Sequence, residues 1–171
     1  AFKGRVGISV RDVKSGWVVQ WNGDALLPQQ SVSKMWVAIA VMDAVDRRRI
    51  ALSEPILVHR SDLTVFHQPI RSRIGRNGFN TTIGELLRCA MIESDNTCND
   101  VLLGRVGGPA AIRRFLARKN LKGVRFGPGE RKLQAQTAGL ETTVLAAVPI
   151  PWWKRLGPLL PLLGIAALLA Q

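Results

Sequence analysis

The sequence predicts an α/β fold of the α+β type, in which a β-hairpin precedes a mainly helical part. Residues 4–12 alternate apolar with polar or small residues, and residues 17–22 form a second strand-like run. Residues 12–16 between them are typical of a turn, so the two runs indicate a hairpin. Residues 32–47 are apolar almost all round, which predicts a buried central helix, because a surface helix would show one apolar stripe.

Further helices are predicted after this central one. Residues 54–80 are expected to be mostly irregular, because proline and glycine recur there. Thr82-Ile83-Gly84-Glu85 fits a capping box and predicts a helix to about Ile92. A short loop and a second helix to about Arg105 follow, and Pro109 at a first helical position starts a third.

The composition is that of a folded protein with a basic surface. Apolar residues make up 47% of the chain and charged residues 21%, which argues against a disordered protein. The formal net charge of +12 could favour binding of nucleic acid, anionic lipid or an anionic substrate. Basic residues are spread from Lys3 to Arg155 without a cluster, and few aromatic residues are available for base stacking. We therefore expect a basic surface coat and no nucleic-acid partner.

The cysteines and histidines do not predict a disulfide framework or a metal site. Cys89 and Cys98 are expected on consecutive helices, where the sequence cannot show whether they approach within bonding distance, and we expect buried free thiols. His59 and His67 lie in irregular sequence without a third ligand at metal spacing. We expect surface or loop histidines, no metal and no cofactor.

The C-terminal stretch, residues 144–171, differs in character from the rest, and we expect it to be separate from a domain over residues 1–143. It contains no acidic residue, and residues 156–170 are apolar apart from two prolines, shorter than the roughly 20 residues of a membrane span. A shifted reading frame is our preferred explanation, and a membrane-contacting tail through residues 152–171 is the alternative. The N-terminus shows no signal peptide, so we expect a mature form or a missing true start.

The first candidate site is Ser31-Val32-Ser33-Lys34, at the start of the central helix. Residues three apart share a helical face, so the Lys34 amine is expected within reach of the Ser31 hydroxyl. A buried amine could act as the base for a serine nucleophile, and N–H groups at the helix start could stabilise an oxyanion. The pattern is short, and Ser31 as a plain helix N-cap is the alternative.

The second candidate site is Ser94-Asp95-Asn96, in the loop between two predicted helices. The Ser94 hydroxyl could relay a proton between Lys34 and a leaving nitrogen, and Asn96 could hold Lys34 or a substrate amide. Helix capping is the alternative for the triplet, because Ser, Asp and Asn are the residues preferred at that position.

In this order the two motifs resemble those of class A β-lactamases, which are penicillin-recognising serine hydrolases. The resemblance covers roughly residues 4–141 and includes the stretch Ser94-Asp95-Asn96-Thr97-Cys98-Asn99-Asp100. It implies a β-lactamase/transpeptidase-like fold and hydrolysis of the β-lactam ring of penicillin-type antibiotics through a Ser31 acyl-enzyme, and hence antibiotic resistance. It also implies a small-molecule β-lactam substrate, a monomer and a periplasmic or secreted location.

The same resemblance points to Glu130, after a Gly-Pro-Gly loop. In the family a glutamate of this segment activates the deacylating water, and a residue four positions on, usually Asn, helps to hold it. This chain has Gln134 there, a longer amide with the same donors and acceptors. A solvated glutamate in an arginine-rich turn is the alternative for Glu130.

The family's third motif, Lys-Ser/Thr-Gly, is matched only in letters, by Lys14-Ser15-Gly16 in the predicted hairpin turn, where these residues fit for backbone reasons. By the family pattern the chain then lacks this motif, the remaining sheet strands and the second oxyanion donor. Loss of one such donor typically lowers the rate by ~10²–10³. The resemblance therefore implies a C-terminally truncated domain that hydrolyses β-lactams slowly or not at all.

Two other functions stay open. A peptidoglycan D,D-peptidase or penicillin-binding protein would share Ser31, Lys34 and Ser94, but would lack a deacylating carboxylate such as Glu130. A non-catalytic, membrane-attached fragment would use the basic surface and residues 152–171.

Overall fold

The computed structural model describes residues 6–128 and 141–142 of the chain, with residues 28, 141 and 142 described by their backbone alone. The strands are β1 (Ile8–Arg11), β2 (Val18–Trp21), β3 (Leu27–Pro28), β4 (Pro55–Val58), β5 (Phe79–Thr82) and β6 (Glu141–Thr142). The α-helices are α1 (Ser33–Asp46), α2 (Ile83–Ile92), α3 (Asn96–Arg105) and α4 (Gly108–Arg118). Short 3-10 helices cover Gln30–Val32, Arg60–Asp62 and Pro69–Arg73.

The predicted N-terminal hairpin is confirmed. β1 and β2 pair antiparallel, with Ile8 opposite Trp21. The turn closes through Gly16, whose N–H donates to the Asp12 carbonyl at 2.9 Å and whose φ of +75° suits glycine. Lys14-Ser15-Gly16 therefore lies in a hairpin turn, as predicted.

The predicted central helix is confirmed as α1. Every residue from Lys34 to Val41 is buried, as is Asp43 two residues further on. α1 packs against α2, α3 and α4, so neighbours cover it on several sides. These neighbouring helices explain why the segment is apolar almost all round.

The helices α2 and α4 begin where the capping box and Pro109 predicted. The Thr82 hydroxyl accepts the N–H of Glu85 at 3.2 Å and so caps α2. α4 begins at Gly108, with Pro109 in its first turn, after Gly107 has turned the chain at φ +98°. α2 packs against α3, and α3 against α4, so the short loop between α2 and α3 lies beside the start of α1.

The ends of the segment expected to be mostly irregular form a strand pair. β4 and β5 run antiparallel, with Pro55 opposite Thr82 and Val58 opposite Phe79. Each strand has four residues and its partner lies far along the chain, so the sequence shows no alternation long enough to indicate a strand. β3 pairs with β6 in the same way, over two residues each.

The predicted boundary at residues 143/144 and the stretch 144–171 lie outside the described residues. Within the described ranges, no helix combines the length and apolar character needed to cross a bilayer.

Candidate active site

Ser31 and Lys34 lie together at the start of α1. Ser31 is in the 3-10 helix that leads into α1 and is exposed, whereas Lys34 in the first turn of α1 is only 2% exposed. The Lys34 amine donates to the Ser31 hydroxyl at 2.9 Å, as their three-residue spacing predicts. The residue capping α1 is Val32, so Ser31 is not a plain N-cap of this helix.

The second motif meets the first at the same point. Lys34 Nζ donates to Ser94 Oγ at 3.2 Å and to Asn96 Oδ1 at 2.7 Å. Ser94 Oγ donates to Ser31 Oγ at 3.0 Å, across a separation of 63 residues. One amine, two hydroxyls and one amide oxygen thus form a connected cluster with an exposed serine at its edge.

The turn that carries Ser94 is held by its neighbours. Ser94 has a φ of +53°, a left-handed conformation that non-glycine residues rarely adopt. The next residue but one, Asn96, donates its backbone N–H to the His67 carbonyl and its side-chain N–H to the Val65 carbonyl, both at 2.9 Å. These carbonyls were not predicted from the sequence, because a backbone acceptor has no residue-type signature.

Asp95 has a supporting place in this turn. Its carboxylate is fully buried and accepts the N–H of Cys98 at 2.8 Å, which caps α3, and the N–H of Ile70 at 2.7 Å. The capping alternative thus holds for Asp95, while Ser94 and Asn96 point their side-chain oxygens at Lys34. Asp95 joins the start of α3 to a segment 25 residues earlier.

A buried network continues from the same helix turn. The Thr97 hydroxyl donates to Gln68 Oε1 at 2.9 Å and accepts the N–H of Thr64 at 3.1 Å. Trp36, within α1, donates its indole N–H to Gln29 Oε1 at 2.9 Å, two residues before Ser31 in the chain. Polar side chains therefore hold both the segment that leads to Ser31 and the helix start that carries Asn96.

The expectation of free thiols is wrong, because Cys89 and Cys98 form a disulfide with a Cα–Cα distance of 6.2 Å. Both cysteines are buried as expected, and the packing of α2 on α3 across a short turn brings them together. A carboxylate oxygen of Asp95 lies with the two sulfurs within 4.8 Å, a grouping that could hold a metal ion. Here the sulfurs are bonded to each other, and both carboxylate oxygens accept backbone N–H groups.

Two predicted site residues, Glu130 and Gln134, lie outside the described residues. Of the histidines, His59 and His67 are exposed, as predicted. The His67 ring is paired with the Glu93 carbonyl through Nε2 at 2.8 Å.

Comparison with known proteins gives one consistent answer. The model of the β-lactamase enzyme family matches residues 1–149. A β-lactamase of Rhodobacter capsulatus is 32% identical over 111 residues, and β-lactamase L2 of Stenotrophomonas maltophilia is 34% identical over 116 residues. These matches cover 65% and 68% of this chain, and 37% of each relative.

The solved structures agree with the sequence matches. An ancestral class A β-lactamase is similar with a TM-score of 0.72 and 32% identity, over 84% of this chain and 55% of that structure. The chain thus spans about half of the class A fold and just over a third of the length of the two curated relatives. The chain belongs to the β-lactamase enzyme family and has the fold of class A β-lactamases over the part that it spans.

Proposed function

We propose that this chain opens β-lactam rings with Ser31 as the nucleophile. The observation that carries the proposal is the convergence of the Lys34 amine on Ser31 Oγ, Ser94 Oγ and Asn96 Oδ1 within 3.2 Å. Membership of the β-lactamase family and similarity to class A structures support the same chemistry. Because the chain spans 37% of the curated relatives, the activity itself is part of the proposal.

In the acylation step, the Ser31 oxygen attacks the lactam carbonyl carbon while Lys34, in its neutral form, takes up the hydroxyl proton. The ring carbon–nitrogen bond breaks, and Ser94 delivers a proton to the departing nitrogen and is reprotonated from Lys34. Ser31 ends as an ester, and the proton that it lost is carried by the former ring nitrogen. The exposed Ser31 hydroxyl and its short contacts to both partners suit this sequence of transfers.

In the deacylation step, we propose Glu130 as the general base that directs a water molecule at the ester carbon, with Gln134 helping to hold that water. The water supplies hydroxide to the carbonyl carbon and a proton to the Ser31 oxygen, so the net reaction adds one water to the lactam. These two roles rest on the family resemblance alone.

We also propose a periplasmic or secreted location. The disulfide between Cys89 and Cys98 supports it, because disulfides persist in oxidising compartments. A monomeric state stays a prediction.

The test is intact mass after incubation with benzylpenicillin, followed over time. The parent is compared with Ser31→Ala, with Glu130→Ala and with Ser33→Ala, a matched control in the same motif. We expect an adduct of one penicillin that is transient in the parent and in Ser33→Ala, persistent in Glu130→Ala and absent in Ser31→Ala. Turnover of a chromogenic cephalosporin measures the rate of hydrolysis in the same samples.

Two results would contradict the proposal. If neither the parent nor Glu130→Ala forms an adduct, Ser31 is not an acylated nucleophile in this chain. If the adduct persists equally in the parent and in Glu130→Ala, the chain is a penicillin binder of the peptidase type and not a hydrolase.

A further inference from the structure

The Cys89–Cys98 disulfide closes a small ring of chain around the second motif. Cys89 lies near the end of α2 and Cys98 in the first turn of α3, and their sequence separation is 9. Ser94, Asp95 and Asn96 all lie between them. The covalent ring therefore contains Ser94 and Asn96, two of the three residues whose oxygens accept hydrogen bonds from the Lys34 amine.

The backbone of the same two cysteines holds the turn as well. The Cys89 carbonyl accepts the N–H of Glu93 at 3.0 Å and that of Asp95 at 3.4 Å. The Cys98 N–H donates to the Asp95 carboxylate at 2.8 Å. Each cysteine thus fixes one side of the turn by hydrogen bonds, and the disulfide fixes the distance between the two sides.

The turn needs this support because Ser94 is in the left-handed region at φ +53°. Such a conformation in a non-glycine residue persists only where the surrounding structure over-determines it. A change in the spacing of α2 and α3 would let Ser94 relax toward an ordinary conformation. Its hydroxyl would then leave the short contacts to Ser31 and Lys34.

We propose that the Cys89–Cys98 disulfide is a positioning element of the active site, so that the ability of Ser31 to react depends on the oxidation state of this pair. The effect on the reactivity of Ser31 rests on the proposed function, whereas the effect on the conformation of the Ser94 turn does not. Reduction by a dithiol such as dithiothreitol breaks the sulfur–sulfur bond, transfers two electrons and two protons to give two thiols, and leaves the reductant as a cyclic disulfide.

The first test measures backbone amide exchange by NMR in the parent and in a Cys89→Ala/Cys98→Ala double variant. Alanine is used because a buried hydroxyl would lack partners. We expect amide exchange to become at least about tenfold faster at Ile70 and Asn96, with little change in α1. The Ile70 N–H donates to the Asp95 carboxylate in the turn, and the Asn96 N–H lies in the turn and donates to the His67 carbonyl. The control is Ile112→Val, which weakens the core in α4 away from the turn.

The second test measures the rate of Ser31 acylation by benzylpenicillin, from intact mass, across a range of pH. Misplacement of Ser94 by about 1 Å should slow acylation roughly 10- to 100-fold in the double variant and change the pH profile, whereas Ile112→Val should leave both unchanged well below its unfolding midpoint. Parent protein unfolded and refolded under reducing conditions should be slowed in the same way. Reoxidation should restore its rate but not that of the double variant.

The outcomes separate this inference from the proposed function. Equal amide exchange and equal acylation in the parent and the double variant would overturn the positioning role. If the oxidised parent forms no adduct, the proposed function fails, and amide exchange alone then decides whether the disulfide positions the turn. The inference would also be overturned if Ile112→Val speeds amide exchange at Ile70 and Asn96 as much as the double variant does. The effect would then be general destabilisation of the protein.

Discussion

Replacing Asp95 with alanine should destabilise the protein far more than the loss of an ordinary helix cap. The carboxylate is fully buried and accepts two backbone N–H groups, from Ile70 at 2.7 Å and from Cys98 at 2.8 Å. Alanine would leave both donors buried without a partner. At about 1–3 kcal/mol for each of the two stranded donors, the free energy of unfolding should fall by roughly 2–6 kcal/mol.

The matched control is Asp62→Ala. Asp62 also caps a helix, since it accepts the His59 N–H at 2.7 Å, but it does so at the exposed end of a short 3-10 helix. Its loss should cost about 1 kcal/mol. Asp95→Asn, which keeps one acceptor oxygen, should fall between the two alanine variants.

The assay is equilibrium unfolding in urea, followed by tryptophan fluorescence, because Trp36 is fully buried in α1. A stability of 5–15 kcal/mol is typical of a domain, so the Asp95→Ala loss would lower the midpoint strongly or remove the transition. If Asp95→Ala shows no unfolding transition, the free energy of unfolding is measured on Asp95→Asn and compared with that of Asp62→Ala. The reasoning is refuted if Asp95→Ala and Asp62→Ala cost the same.

Two further predictions concern backbone conformation and a turn carboxylate. Gly78→Ala should lower the free energy of unfolding by about 1–3 kcal/mol, because Gly78 has a φ of +89° and an added Cβ would lie 2.8 Å from Leu57 Cδ1. Gly104→Ala, where a Cβ meets nothing within 4 Å, should raise it by about 0.5 kcal/mol, and urea unfolding measures both. The pKa of Asp12 is lowered below 3.8, mainly by a hydrogen bond from the Ser15 hydroxyl and then by one from the Lys14 N–H. Ser15→Ala should therefore raise the pKa of Asp12 in an NMR titration. The control, Ser9→Ala, should leave that pKa unchanged. Because the folded carboxyl has the lower pKa, its support of the turn is fully present above pH 3.8 and is lost as the pH falls through the folded value.

The parts of the fold that could be predicted are those with a local signature. The apolar segment of α1 predicts burial, and Thr82 and Pro109 predict helix starts because capping depends on residues a few positions apart. The contact of Ser31 with Lys34 is local in the same sense, since it follows from helical spacing. Each of these features needs only one turn of chain to be specified.

The parts that could not be predicted depend on contacts between distant segments. The meeting of Ser94 with Ser31 was expected through the family resemblance, because no periodicity relates residues 63 positions apart. The carbonyls of Val65 and His67, which hold Asn96, are backbone groups that any residue would supply. The Cys89–Cys98 bond follows from the packing of two helices, whereas the sequence indicates only their order.

In the proposed mechanism, the two half-reactions depend on different residues of the chain. The groups proposed for acylation, Ser31, Lys34 and Ser94, are held by α1 and by the turn between α2 and α3, and each is within 3.2 Å of the other two. The group proposed for deacylation, Glu130, takes no part in the proposed acylation step. Removing the glutamate should therefore leave the nucleophile able to react and the ester unable to leave. In the proposed mechanism, therefore, a single carboxylate separates a hydrolase from a protein that penicillin traps.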